Sequence, residues 1–319
     1  MPLKQEEWVS LYARAKDLRK DVVDVTSFSG GAHIGGGMSA MDILVLLYFH
    51  YLNIDPEKPD WEDRDRFVLS KGHAAVAYAP VLARRGFFPF DELKTFNKFG
   101  SPFGMHPDSK RISGCDASTG SLGHGLPMAV GMALAARFQG KSYRTYCLLG
   151  DGECNEGVVW EALMAAAHYR LTNLIPIIDR NHLMIDGPTE EVMSLEPLEE
   201  KLKAFGFEVL SVNGHDFDEL AGAFDRAIAA GESVADAEHK NTAAAEGAAG
   251  EVVFASQKPV CIVADTVKGK GVDFMEGQVP WHYGSIDSEL RLKALESIER
   301  IYTNIEAPLR GEGKGGSHE

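Results

Sequence analysis

Hydrophobic positions along this 319-residue chain change their spacing several times, and each change marks an expected element. Trp8, Leu11, Ala15, Leu18 and Val22 recur at steps of three and four, which is one face of an opening helix. Ser39-Ala40-Met41-Asp42 has the form of a capping box ahead of the apolar run 43–49, so a second, largely buried helix is expected to start there. Short apolar runs then alternate with helical stretches. Residues 67–70 break at Lys71-Gly72-His73 and lead into an Ala-rich helical segment that ends near Gly86. Residues 144–149 break at Gly150-Asp151-Gly152, ahead of a helical stretch over 158–169. Residues 174–178 end at Asp179-Arg180-Asn181, and the runs 207–210 and 260–264 complete the set. Short apolar strands separated by helices predict an α/β fold: a three-layer, doubly wound, mostly parallel sheet with helices on both faces.

Residues 1–310 read as one domain, with no convincing linker and no internal repeat. Two stretches break the pattern. Residues 231–250 are rich in Ala, Glu and Gly without an apolar stripe, which suits a surface insertion, partly helical or disordered. The tail 311–319 is polar and Gly-rich and is expected to be disordered.

Composition narrows the functional classes. Lys and Arg number 32 against 47 Asp and Glu, a formal net charge of −15. That balance argues against a nucleic-acid surface and against an anionic membrane surface. The first twenty residues lack the apolar core of a signal peptide, and no apolar run nears the roughly 20 residues of a membrane span. A cytoplasmic protein is expected. Cys115, Cys147, Cys154 and Cys261 contain no CxxC pair, so they read as reduced, partly buried thiols.

Candidate chemistry gathers at strand ends. Asp151 follows one expected strand and Asn181, thirty positions later, follows the next. In an open parallel sheet the carboxyl ends of the strands line the ligand crevice, so a carboxylate and an amide oxygen can converge there on one ion. Hard oxygen ligands suit Mg²⁺, which commonly takes phosphate oxygens as further partners. Gly152 permits close approach of the backbone, and the helix beginning near Val158 adds a positive N-terminal dipole.

Gly-Asp-Gly followed by Asn at this spacing resembles the thiamine diphosphate signature, and the stretch 150–187 is similar to the diphosphate-binding domain of transketolases. The resemblance continues at Gly31-Ala32-His33-Ile34-Gly35-Gly36, Ser70-Lys71-Gly72-His73 and His106-Pro107. It is also carried by Ser118-Thr119-Gly120-Ser121-Leu122-Gly123-His124-Gly125 and by Thr266-Val267-Lys268-Gly269-Lys270-Gly271. Six motifs in order cover roughly residues 10–285. The resemblance implies a thiamine diphosphate-binding fold of the diphosphate (PP) type and transfer of a two-carbon ketol unit between sugars. It implies Mg²⁺ held by the side chains of Asp151 and Asn181 and the main-chain oxygen of Leu183. Gly120, Ser121, Leu122, Gly150, Gly152 and His73 would lie against the cofactor, and Glu156 and Glu161 near a subunit interface that links active sites. His33, His73, His106 and, in Trp281-His282-Tyr283-Gly284, His282 would line the catalytic pocket, moving protons to and from sugar hydroxyls. Glu156 joins them as a catalytic candidate.

Departures from the family pattern fall on the sugar side: Ile34 where Pro is usual, His124 where Gln is usual, and Tyr283 interrupting a usual Trp-His-Gly. The resemblance further implies a partner, the C-terminal, pyrimidine-binding subunit of a split transketolase, in an α2β2 assembly without which the chain is inactive. Small anionic sugars are the implied substrates. Two alternatives stay open on sequence: another thiamine diphosphate enzyme subunit, such as one like deoxyxylulose phosphate synthase or a 2-oxoacid dehydrogenase α chain, or a non-catalytic cofactor-binding scaffold.

Overall fold

A computed structural model describes residues 3–244 and 258–309. Five strands form one wholly parallel sheet in the order β1-β2-β3-β5-β4. They are β1 Arg66–Leu69, β2 Thr145–Gly150, β3 Leu174–Arg180, β4 Glu208–Asn213 and β5 Val260–Asp265. Alternate residues of each inner strand enter two separate cores, which is why these runs are continuously apolar. Phe67, Leu69, Tyr146, Leu148, Ile175, Ile177 and Ile262 face one core. Val68, Cys147, Leu149, Leu174, Ile178, Cys261 and Val263 face the other. The expected doubly covered parallel sheet is what the chain forms.

The first core is closed by α1 (Gln5–Ser29), α2 (Ile34–Ser39), α3 (Met41–Leu46) and α4 (Ala75–Arg85), together with α9 (Phe217–Ala244) and α10 (Ser288–Leu309). The second lies under α5 (Gly125–Phe138), α6 (Gly157–His168) and α8 (Leu198–Ala204). A one-turn helix, α7 (Thr189–Val192), follows β3. Leu11, Ala15, Leu18 and Val22 of α1 are buried as their spacing implied. All four cysteines are buried and free. Of the Ala- and Glu-rich stretch, 231–244 continues α9, while 245–250 and the tail 311–319 lie outside the described residues. No helix among the described residues is long and apolar enough to cross a membrane.

One local expectation fails. Ser39 does not cap a helix; it is the last residue of α2, and α3 starts after Ala40 with no side-chain cap. The Ser39 hydroxyl instead donates to Asp179 Oδ2 at 2.6 Å, and Asp42 receives a two-pronged bond from Arg19 at 2.8 Å on each oxygen. Both partners come from distant parts of the chain, and a charge-assisted buried bond outweighs a local cap.

Candidate active site

The carboxyl ends of β1, β2, β3 and β5 meet at one edge of the sheet, and each delivers a polar residue there. Lys71, just past β1, is buried and donates to Gly36 O at 2.9 Å and to Asp179 Oδ2. Asp179 in β3 also accepts from Ser39 and from Thr266, which follows β5. Burial pushes the Asp179 carboxyl up, but Lys71 beside it and the two hydroxyl donors bring it below the usual range. Three segments are thereby locked around one fully buried anion.

A second buried acid organises the glycine-rich loops. Glu153, in the turn Gly152–Asn155, accepts from the Ser70 hydroxyl and Gly123 N–H on one oxygen and from Gly150 N–H on the other. Here close approach explains the glycines. A Cβ on Gly125 would lie 2.5 Å from the Ser70 backbone, and one on Gly72 would lie 2.9 Å from Gly120 N. Thr119 and Gly120 are thus pressed against the end of β1, with Thr119 donating to Leu69 O at 2.7 Å. Glu153 had no expected role on sequence; its signal is an acid between strand and helix where many backbone N–H groups need an acceptor.

Asp151 is buried, and Asn181 is buried at the adjacent strand tip. Asp151 Oδ1 accepts Gly152 N–H at 2.9 Å, while Oδ2 accepts His182 N–H at 2.7 Å, Thr189 Oγ1–H at 3.2 Å and Arg180 at 3.1 Å. Asn181 Oδ1 takes Leu183 N–H at a long 3.3 Å, and Leu183 O accepts Lys268 Nζ at 2.6 Å. Two of the three oxygens expected from sequence therefore sit in one short turn, beside the buried carboxylate of the third.

The four histidines, drawn from four separate segments, converge. His33 lies 5.3 Å from His73, 6.5 Å from His106 and 5.4 Å from His282, centroid to centroid, and His73 stacks on His282 at 5.5 Å. A two-residue bridge between Ala32 and Gly284 holds the 281–284 segment beside His33. Tyr283 then sets its half-exposed ring 5.1 Å from His33. His106 packs against Gly120, whose added Cβ would meet its ring at 3.2 Å.

Burial depresses the pKa of every one of these imidazoles. His73 is held well below its ordinary value by burial, then by Lys71 and its histidine neighbours. His282 is pushed down to about 3 by burial and by Lys268. His33 falls for burial, His106 and Lys268, and His106 for burial alone. All four are neutral near pH 7, able to donate from one nitrogen and accept at the other. His33 Nδ1 is buried without a hydrogen-bond partner among the described residues, an atom poised for a ligand.

Lys268 belongs to one of the family-like motifs, yet sequence alone suggests no role for it. Its ammonium touches Leu183 O and lies 3.1 Å from His282 Nδ1, so it joins the Asn181–Leu183 turn to the histidine pocket. Burial and the nearby Lys71 push it down to about 8. His215, equally silent in sequence, fixes the loop that carries it. Nε2 accepts Val267 N–H at 2.9 Å, so Nδ1–H donates to Asp42 at 2.7 Å. The other expected residues lie on the outside of this cluster. Ser121, Glu156 and Glu161 are exposed and Leu122 is half-buried, and Met164 is exposed on α6.

A parallel sheet with buried polar groups gathered in the loops at its carboxyl edge has the form of a ligand-binding α/β domain, and comparison with known proteins says which. Residues 12–235 match the family described as transketolase, thiamine diphosphate binding domain, and the chain belongs to that family. It is 36% identical over 303 residues to a chain of Phocaeicola vulgatus named as one subunit of apulose-4-phosphate transketolase, covering 95% of this chain and 99% of that one. It is 38% identical over 295 residues to the 6-deoxy-6-sulfo-D-fructose transketolase subunit SqwG of a Clostridium species, covering 92% and 98% respectively. Transketolase from Leishmania mexicana superposes with a TM-score of 0.74 at 27% identity over 95% of this chain. The chain spans only 47% of that solved enzyme, about half its length. The protein is accordingly one chain of a transketolase-type transferase with thiamine diphosphate as its cofactor, and relatives named as subunits imply a partner chain.

Proposed function

We propose that this chain is the diphosphate- and metal-holding half of a two-chain transketolase that moves a two-carbon ketol unit between small anionic sugars. Its partner in this reading is the C-terminal, pyrimidine-binding subunit, in an α2β2 assembly. Anionic sugars are favoured because the names of the relatives specify a sugar phosphate and a sulfo-sugar. The single observation that carries the reading is Lys268, whose ammonium touches both Leu183 O, in the turn beside Asp151, and His282 of the four-histidine pocket.

Asp151 Oδ1, Asn181 Oδ1 and Leu183 O are the atoms that would hold a divalent ion. All are hard oxygens, and Oδ1 of Asp151 carries only one short-range donor, so the set fits Mg²⁺. The turn Gly150-Asp151-Gly152, His73 and the loop Gly120-Ser121-Leu122 would hold the coenzyme. When bound, thiamine diphosphate supplies the electron sink for cleavage and formation of the carbon–carbon bond. The chain's own part is positional and protonic. Neutral His33, His73, His106 and His282 orient sugar hydroxyls and pass protons between them and water, and Lys268 offers positive charge to an anionic oxygen. Glu156 and Glu161 sit on an exposed face suited to a subunit interface.

The test is calorimetry and turnover on the assembled pair of chains. Magnesium-assisted coenzyme uptake should be lost in Asp151→Ala, and ketose consumption should be lost in His73→Ala, which removes one coenzyme contact but no metal ligand and so weakens uptake less. Uptake unaffected by Asp151→Ala would overturn the ligand set; turnover unaffected by His73→Ala would overturn the catalytic role of the pocket.

A further inference from the structure

Arg180 ends β3, one position before Asn181, and is only 4% exposed. Its guanidinium forks. Nη1 donates to Asp151 Oδ2 at 3.1 Å, and Nη2 donates to Glu190 Oε1 at 3.0 Å and Glu196 Oε1 at 2.9 Å. Asp151 Oδ2 also receives His182 N–H and the Thr189 hydroxyl. Three donors on one oxygen exhaust its lone pairs, whereas Oδ1 carries only Gly152 N–H.

We propose that Arg180 is the positioning residue of the ion site, holding Asp151 Oδ2 so that Oδ1 alone faces the ion and the carboxylate binds through a single oxygen. The inference rests on the reading of Asp151 as a metal ligand. Two features make the guanidinium suited to the task. Its planar fork spans the aspartate on one side and the glutamates on the other, a geometry a lysine ammonium cannot reproduce. Its far end is also held by a stretch that is itself closed. Glu190 accepts from Ser194 Oγ and from the N–H groups of Leu195 and Glu196. Nor does Arg180 repel the ion on balance: its one positive charge stands among three carboxylates, Asp151, Glu190 and Glu196, so the cluster stays negative.

Single-oxygen coordination has a consequence for ion choice. Mg²⁺ demands octahedral geometry with one oxygen per ligand, whereas Ca²⁺ takes six to eight oxygens and accepts a two-oxygen carboxylate. Without Arg180, Oδ2 keeps the His182 N–H and the Thr189 hydroxyl but loses its charged donor; the loosened carboxylate can then turn both oxygens toward the ion, which should harm Mg²⁺ more than Ca²⁺. The test titrates each ion calorimetrically into the assembled pair of chains with thiamine diphosphate present. Arg180→Met should weaken Mg²⁺ by about 10- to 100-fold, the range for an outer partner of a metal ligand, and Ca²⁺ by clearly less. Arg180→Lys should fall between wild type and Arg180→Met. Glu190→Gln/Glu196→Gln changes two well-exposed side chains, keeps the fold, and should weaken Mg²⁺ several-fold by releasing the fork. Unchanged or tighter Mg²⁺ binding in these variants, or an equal loss for both ions, overturns the proposal while leaving Asp151 as a ligand. Asp151→Ala that binds Mg²⁺ like wild type removes the ligand reading and the proposal together.

Discussion

Lowering the pH should weaken this fold through its histidine pocket, with a size that His282 allows one to work out. An unfolded histidine has a pKa near 6.5, whereas burial and Lys268 hold His282 at about 3 in the folded chain. Above about pH 6.5 the imidazole is neutral in both states and its pH-dependent contribution is constant. Below that value the unfolded chain takes up a proton that the folded chain refuses, so stability is lost progressively as pH falls from about 6.5 toward 3. At about pH 5 the unfolded pKa has been passed by roughly 1.5 units, worth about 2 kcal/mol at ~1.36 kcal/mol per unit. His282 is only partly buried, and solvent screening reduces this to about 1 kcal/mol. His33, His73 and His106 carry the same sign. Lys268, at about 8, does its titrating above this window and does not interfere. Glu153, Asp116, Asp65 and Asp21 are pushed upward, chiefly by burial, and act in the opposite direction, so total stability is the wrong readout. The difference between wild type and His282→Gln is the right one, because the carboxylates cancel. Urea unfolding of both proteins at equal concentration, at about pH 7.5 and about pH 5, should show the variant losing about 1 kcal/mol less than wild type. Parallel pH profiles, or a steeper loss in the variant, would refute the assignment of a proton-refusing His282.

Two perturbations of the frame complete the set. Lys71→Met strands the fully buried Asp179 carboxylate without its cation and should cost about 3–5 kcal/mol in urea unfolding, even though Ser39 and Thr266 still donate. Gly125→Ala places a Cβ 2.4 Å from Ser70 Oγ and 2.5 Å from its Cα; forcing β1 and the glycine-rich loop apart should cost about 1–3 kcal/mol and weaken coenzyme uptake in calorimetry.

Much of the fold was legible because its sheet is covered on both faces. Residues such as 174–178 are apolar throughout, with Leu174 and Ile178 entering one core and Ile175 and Ile177 the other, and that pattern survives in sequence. Asp151 and Asn181 were legible for a related reason, since strand ends in such a sheet point at the ligand crevice. The histidine pocket was readable only through family resemblance: His33 and His282 stand almost a whole chain apart, and no local spacing rule joins them. Long-range partners also defeated the helix start expected at Ser39, whose hydroxyl went to Asp179, 140 positions away. His215 looked idle for the same reason, since Asp42 and Val267 reach it only in the folded chain. Glu153 and Lys268 lie inside family-like motifs, but their roles depend on which backbone groups surround them.

A chain of net charge −15 that takes up a diphosphate coenzyme poses an electrostatic question, and the answer lies in how its cations are partnered. Lys71 is matched by Asp179 and Arg19 by Asp42, each pair buried, so both cations already have a carboxylate partner. Lys268 is different: its ammonium rests on carbonyl oxygens and an imidazole, and burial and Lys71 have lowered its pKa to about 8. The histidines around it are depressed first by burial, and then by one another and by the charges of Lys268 and Lys71. An anion seated beside Lys268 favours the charged forms of these groups, restoring what burial withheld. Against a net charge of −15, an ammonium with no carboxylate hydrogen-bonded to it among the described residues acts at close range, and within a low-dielectric cleft the near field decides.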